Sequence, residues 1–331
     1  MPDFYKAIIM VLCFSLQVRA QNLILNPSFE EYYRCPDQIS QIEYCKHWYN
    51  KGGTPDFYHK CGFYKMENVK FEYTQDPYDG SGVCGIGISW PFRLRYDTIF
   101  KEYCMGTLSD PTTNGAYYFK VYILSNPENR TNHLGVYFTK DTIPEFNGYA
   151  RNITPQLLFN EWIGSYPSWK MQAGCVEDIP GSRYFTIGNF QVAGTDSVEF
   201  RDIDFSNFIH LDALGLYKIP EYKMSDTTIV GSYCVSPGGT INEIPVFHTL
   251  NGDTIYEKTC IDAGKHTLKT YVKGCDKLIR ELNIQIVQCN SIMVCSNITR
   301  KRNGAIELKC AIKESDILDI ESLSLYVGGA I

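Results

Sequence analysis

The chain has 331 residues, with 31 Lys and Arg against 37 Asp and Glu and a formal charge of −6. A mildly acidic chain without a basic run is a poor partner for nucleic acid, whose phosphates require clustered Lys and Arg. Its length predicts two domains of ordinary size, each able to bury a core.

Residues 1–20 read as a cleaved secretory signal: Lys6 supplies the positive start, Ala7 to Leu16 the apolar core, and Val18-Arg19-Ala20 the cleavage site before Gln21. The apolar run is shorter than the roughly 20 residues a membrane span requires, and no transmembrane segment is expected elsewhere. The mature chain is therefore expected to be secreted or to sit at the outer cell surface. It keeps 12 of the 13 cysteines. Six (Cys35, Cys45, Cys61, Cys84, Cys104, Cys175) precede the last third of the chain and six (Cys234, Cys260, Cys275, Cys289, Cys295, Cys310) lie within it, which suggests two separately oxidised units with open pairing. No C-x-x-C occurs, and no His stands at zinc spacing beside a Cys pair.

In chain order, "NLILNPSFEE" (22–31) reads as a short apolar strand ending in an Asn-Pro-Ser turn. "GSGVCG" (80–85) fits G-x-G-x-x-G but leads into strand-like "IGIS", so it reads as a turn and not as a phosphate-binding helix start. "AYYFKVYIL" (116–124), "HLGVYFTK" (133–140), "RYFTIGNF" (183–190) and "NFIHLDALGLY" (207–217) alternate with period two between Asn-Pro, Asn-Gly and Gly-rich turns. Pro and charged residues at 218–226 mark a boundary near 220, after which "TTIVGSYCV", "HTLKTYVKGC" and "ELNIQIVQC" begin a second series. No capped amphipathic helix is visible, so the fold class is all-β.

The ordered set "NLILNPSFEEYYRCP", "HWYNKGGTPDFYHKC", "FKEYC", "AYYFKVYIL", "SWKMQAGC", "RYFTIGNF" and "FIHLDALGLY" resembles the N-terminal jelly-roll domain of surface proteins from gliding bacteria, a domain often followed by immunoglobulin-like, OmpA-like or gliding-motility-associated modules. The resemblance covers roughly residues 22–218. It implies a galactose-binding-like jelly-roll β-sandwich over 21–219, as in carbohydrate-binding modules; the alternating strands and Cys234, Cys260, Cys275 and Cys289 of 220–331 are in turn similar to a smaller immunoglobulin-like or PKD-like β-sandwich. The last strand departs from the family's Ile-Asp-Asp ending and reads Leu211-Asp212-Ala213. The resemblance also implies a structural Ca²⁺ where the first strand ends against the last, with Glu30 and Asp212 as carboxylates and the backbone around Asn26 and Ser28 as carbonyl donors. Such an oxygen set suits Ca²⁺, which takes 6–8 oxygen ligands.

A sugar packs its C–H face on an aromatic ring and hydrogen-bonds its hydroxyls to polar groups. The candidate rings are Trp48, Tyr49, Trp90, Trp162 and Trp169. Trp48 and Tyr49 are read as loop-borne and ligand-binding, Trp169 as core. Asp56 and Glu102 are read as polar ligand-binding partners, with loop hydrogen bonding as the plainer role. No catalytic motif appears. The resulting expectation is an exported non-enzymatic adhesion or binding protein for a glycan or another envelope component. The alternatives are a glycoside hydrolase with a carboxylate pair drawn from Asp56, Glu102, Glu161 and Asp202, or a structural part of an envelope or gliding assembly.

Overall fold

The computed structural model describes residues 21–62, 76–91, 99–125, 130–131, 134–144, 146, 153–159, 163–164, 168–190, 207–230, 233–287, 293–300, 306–312 and 323–324. The signal segment, Glu161, Trp162 and Asp202 lie outside these residues, as does the side chain of Trp90. The chain divides into two compact units: residues 1–221 with 240–246 and 272–279, and residues 222–239 with 247–271 and 280–331. Both are built from strands, and the one helical element among the described residues is a single 3-10 turn, Ile42–Tyr44.

The first unit is a jelly-roll sandwich. Its strands are β1 (Trp48–Gly52), β2 (Asp56–His59), β3 (Gly82–Pro91), β4 (Ile99–Phe100), β5 (Tyr103–Thr107), β6 (Tyr117–Ser125), β7 (Arg130–Thr131), β8 (Leu134–Thr139), β9 (Leu157–Phe159), β10 (Ile163–Gly164), β11 (Lys170–Val176), β12 (Tyr184–Asn189) and β13 (Asn207–Lys218). One sheet has the order β1-β5-β12-β8-β9; the other has β11-β6-β13-β3-β2 with β4 paired to β3. Among the described residues every pairing within these two sheets is antiparallel.

Alternation places the core. On β6, Tyr117, Phe119, Val121 and Ile123 point into one cluster with Phe57, Ile86 and Leu211 of the same sheet and Trp48, Val136, Phe159 and Ile187 of the other. Phe119 meets Phe185 across the sandwich at 6.0 Å between ring centroids. The intervening β6 residues point to the sheet's other face. Tyr118 and Tyr217 on that face are covered by Ile219, Ile244, Val246, Val272 and Ile279.

The opening segment differs from the expected strand. Residues 22–25 make one β-bridge, Ile24 to Leu108, and hydrogen-bond alternately to both sheets: Leu23 N–H donates to Leu216 O at 3.0 Å, and Leu25 N–H to Thr107 O at 3.0 Å. A segment shared between two sheets cannot join either ladder for long. Asn26 then turns the chain with φ +50°, a left-handed conformation that Asn tolerates. Its Nδ2 donates to Glu31 O (2.8 Å) and Lys46 O (2.9 Å), while its Oδ1 accepts from Glu31 N–H (2.9 Å). That turn drops Phe29 into the core against Trp48, 4.5 Å between centroids.

In the second unit the chain adds β14 (Lys223–Val230), β15 (Tyr233–Val235), β16 (Gly238–Ile241), β17 (Ile244–Leu250), β18 (Asp253–Thr254), β19 (Thr259–Ile261), β20 (Gly264–Val272), β21 (Lys277–Val287), β22 (Met293–Arg300), β23 (Ile306–Ile312) and β24 (Leu323–Ser324); the first-unit segments 240–246 and 272–279 take in parts of β16, β17, β20 and β21. The sheet orders are β14-β21-β20-β17-β16 with β18 on β17, β15-β19, and β22-β23-β24. β14 runs parallel to β21.

The expectation of two separately oxidised sets of six cysteines is corrected. Cys35 pairs with Cys61 and Cys234 with Cys260, but Cys175 pairs with Cys275, across the two sets. The reason is spatial: residues 272–279 pack with the first unit, where Val272 and Ile279 cover the β6–β13 face and bring Cys275 to β11. Cys45, Cys84 and Cys104 are buried thiols.

Two outcomes follow from this packing. Asn26→Ala, which strands buried backbone groups and leaves Ala in a left-handed conformation, lowers stability by roughly 2–4 kcal/mol in denaturant titration, and Asn26→Gly relieves the backbone part alone. His210 on β13 is buried between Phe208 and Tyr58, and burial pulls it down to about 4. Its folded value lies below its unfolded one, so its contribution is full above the unfolded value near 6.5 and is lost as pH falls towards 4. His210→Phe therefore flattens the fall in melting temperature between those pH values.

Candidate functional site

The site begins with Asp212. β13 bulges after it, with Ala213 at φ +47°, and the register against β6 resumes at Gly215. The bulge turns the Asp212 carboxylate into a corner with 0% exposure. There Oδ1 accepts from Ala213 N–H (2.6 Å) and Oδ2 from Asp79 N–H (2.9 Å), and Tyr78 N–H also donates to the carboxylate. Burial pushes the carboxyl up to about 7 against the opposing pull of these donors.

Loop 76–82 hangs on this carboxylate and on a second one. Glu30 Oε1 accepts from Ser81 N–H (2.6 Å) and Gly82 N–H (2.8 Å), and Ser28 Oγ donates to Asp79 Oδ2 at 2.9 Å. Gly80 sits at φ +67°, and a Cβ there would stand 2.3 Å from Glu30 Oε1. The glycine run that matches a phosphate motif is therefore a turn closing on a carboxylate.

Of the four residues expected around a cation, Ser28 and Asp212 both reach Asp79, which sequence reading did not single out. Asn26 and Glu30 lie on the same loop with side chains committed to backbone groups. The carbonyls of Asn26 and Pro27 are also in use, accepting from Trp48 Nε1–H (3.0 Å) and Leu214 N–H (3.0 Å). The oxygens that this corner brings near one another are two carboxylates and a hydroxyl, Asp79, Asp212 and Ser28, a donor type that suits a hard cation such as Ca²⁺. Among the described residues no group of three His, Cys, Asp or Glu side chains is arranged to hold a metal.

The same loop carries an aromatic stack. Tyr78, 46% exposed, lies flat on Tyr122 with centroids 3.5 Å apart and planes 16° from parallel. Their hydrogen bond, with burial second, holds the Tyr122 hydroxyl up at about 12. Trp169 stands 6.4 Å from Tyr78 at 69°, anchored by Nε1–H to Asp76 O at 2.9 Å. Tyr122 is paired with Asp212 on one side and with Met171, 39% exposed, on the other. Lys60 and Asp76 form an ion pair of 3.1 Å at the loop's start. Trp169, read from sequence as core, is thus only partly buried. The signal that could have found the stack is Tyr122 itself, an aromatic on the outward phase of "AYYFKVYIL".

The other expected residues are placed differently. Trp48 is 1% exposed, packed against Phe29 and Phe185, which corrects the loop-borne reading: it begins β1 on the inward phase. Tyr49, next in the alternation, is 43% exposed. Asp56 and Glu102 are both buried, and burial raises both carboxyls. Asp56 accepts from Ser40 N–H (2.6 Å) and the Tyr58 hydroxyl (2.7 Å). Glu102 accepts from Thr54 N–H (3.0 Å), Thr54 Oγ1–H (2.7 Å) and Gly87 N–H (2.6 Å). These are the bonds of loop anchors.

No protein-family model and no curated protein matches the chain. Among solved structures it is similar to TmCBM61 in complex with β-1,4-galactotriose, at 13% identity over 60% of this chain and 99% of that one, TM-score 0.31. It is also similar to a putative sugar binding protein from Bacteroides thetaiotaomicron, at 13% identity over 60% and 100% of the two chains, TM-score 0.28. The K1 cleaved adhesin domain of Lys-gingipain from Porphyromonas gingivalis matches at 12% identity over 58% and 95%, TM-score 0.30. These are likenesses at low identity, and no residue role passes from them to this chain.

Proposed function

We propose that the protein is an exported, non-enzymatic binding protein whose first unit takes a glycan on the Tyr78–Tyr122–Trp169 face, beside a corner that holds a structural Ca²⁺. The observation that carries this reading is the exposed ring of Tyr78, immobilised from below by Tyr122 and flanked by Trp169. A ring already stacked loses little freedom when a sugar packs on it, so the contact retains most of its favourable free energy. The Lys60–Asp76 pair at the same loop supplies a donor and an acceptor for hydroxyls. The non-enzymatic part is supported by Asp56 and Glu102, whose oxygens are engaged by Ser40, Tyr58, Thr54 and Gly87. Ca²⁺, when bound, would supply positive charge to Asp79 and Asp212 and tie the loop after Asn26 to β13. Asp79 adjoins Tyr78, so the cation would also steady the platform.

Binding is tested on residues 21–331 with a glycan array followed by calorimetry on the best hit. Tyr78→Ala and Trp169→Ala weaken that hit by roughly tenfold or more, and Tyr49→Ala leaves it unchanged. Equal binding by all four proteins removes the platform. Thermal unfolding tests the cation: Ca²⁺ at about 100 times its Kd raises the parent's melting temperature above that in EDTA by roughly 5 °C, and Asp79→Asn and Asp212→Asn abolish the rise. A parent indifferent to Ca²⁺ removes the cation and leaves the platform standing.

A further inference from the structure

The outward face of β6 carries Tyr118, Lys120, Tyr122 and Leu124. Its two ends are closed: Tyr118 lies under Ile244, Val246, Val272 and Ile279, and Leu124, opposite His210, is buried as well. Lys120 and Tyr122, between them, stay partly exposed and stand about 7 Å apart along the strand. Towards β13 the stretch is closed again. Asp212, opposite Tyr122, is sealed beneath loop 76–82, and Tyr217, two residues beyond the Gly215 that faces Lys120, is buried.

Towards β11, the edge strand of the sheet, the stretch is open: Met171, opposite Tyr122, is exposed, and Trp169 precedes the strand beside Tyr78. It is therefore short, closed on three sides and entered from the sheet's edge. Among the described residues Tyr78 is its one stacking surface, because Tyr78 itself covers Tyr122 and Trp169 is turned 69° from it. Lys120 supplies its charge. The Lys120 Nζ lies 5.3 Å from the centroid of the Tyr217 ring, and among the described residues no carboxylate forms an ion pair with it. The other lysine at the platform, Lys60, is already paired with Asp76.

We infer that this stretch takes the non-reducing end residue of a glycan chain, and that this residue is anionic, stacked on Tyr78 with its carboxylate or sulfate on Lys120. The inference rests on the glycan reading above and adds which part of a chain is bound and with what charge. An interior residue must let the chain leave in two directions, and three sides are closed here. The non-reducing end also keeps its ring closed, so it meets Tyr78 in one shape. The charge follows from Lys120: a neutral sugar packed over a partly buried ammonium removes water without replacing its charge partner, whereas an anion restores one through a charge-assisted hydrogen bond.

The test is calorimetry on residues 21–331 with β-1,4-linked gluco- and manno-oligosaccharides of four kinds. Their non-reducing ends carry the uronic acid, the sulfated hexose, the neutral hexose, or the uronic acid capped by one further neutral hexose. An acid-ended or sulfate-ended chain binds roughly five- to tenfold more tightly than its neutral counterpart, and the tighter of the two identifies the anion. Capping removes the gain, as does Lys120→Gln, whereas Lys120→Arg keeps it. The gain also shrinks as salt is raised. Equal affinity for charged and neutral ends, or affinity that rises with every residue added to the chain, overturns the inference, and in that case loss of binding in Tyr78→Ala still upholds the platform. No binding of any charged-ended chain overturns it as well. Binding that Tyr78→Ala leaves untouched removes the platform, and this inference with it.

Discussion

A carboxylate cannot be taken out of water without donors to replace it, and Asp212 is the place where this fold meets that requirement. Its oxygens receive the N–H groups of Tyr78, Asp79 and Ala213, two of which belong to a loop more than a hundred residues away in the chain. Loop 76–82 is therefore positioned by an electrostatic demand inside β13. Glu30 repeats the arrangement from the other end of the domain, receiving Ser81 and Gly82. Between them the two acids bring the turn after Asn26, loop 76–82 and β13 to one corner.

The aromatic stack is a consequence of that corner. Tyr78 precedes Asp79, so fixing Asp79 against Asp212 and Ser28 fixes the ring over Tyr122, which faces Asp212 across the β6–β13 ladder. Trp169 closes the same loop from β11's approach through Asp76 O. Further along the same strands, the sheet's outer face is covered by segments 240–246 and 272–279, which bury Tyr118 and Tyr217 and leave Tyr122 and Met171 as its open part. The aromatic stack, the Lys60–Asp76 pair and the carboxylate corner thus share one loop.

Much of the fold was legible in the residues. Period-two runs marked β6, β8, β12 and β13, and the turns between them carried Gly, Pro and Asn, whereas the return of segments 240–246 and 272–279 to the first unit was marked by no break in composition. The importance of "NPSFEE" was legible too, although its reason was not: Asn26 works through three backbone groups, an indole N–H and a sulfur, on residues 5 to 22 positions further along the chain. Trp48 and Tyr49 show the limit most simply. Neighbours in a strand point to opposite faces, so a pair read together as exposed had to split, and a one-residue choice of phase decides which ring is core.

By itself, then, the sequence determined the strand content, the alternation that makes two sheets close on an apolar core, and the supply of carboxylates and aromatics near the corner, because these depend on local pattern and residue chemistry. Tertiary structure alone decided the partners. Asp79 meets Asp212, Tyr78 lies on Tyr122, and Cys175 reaches Cys275, through contacts between residues 44 to 133 positions apart. Side-chain periodicity fixes which way a residue points along its own strand. Which residue waits for it there is set by sheet order and by bulges, and these are properties of the whole folded chain.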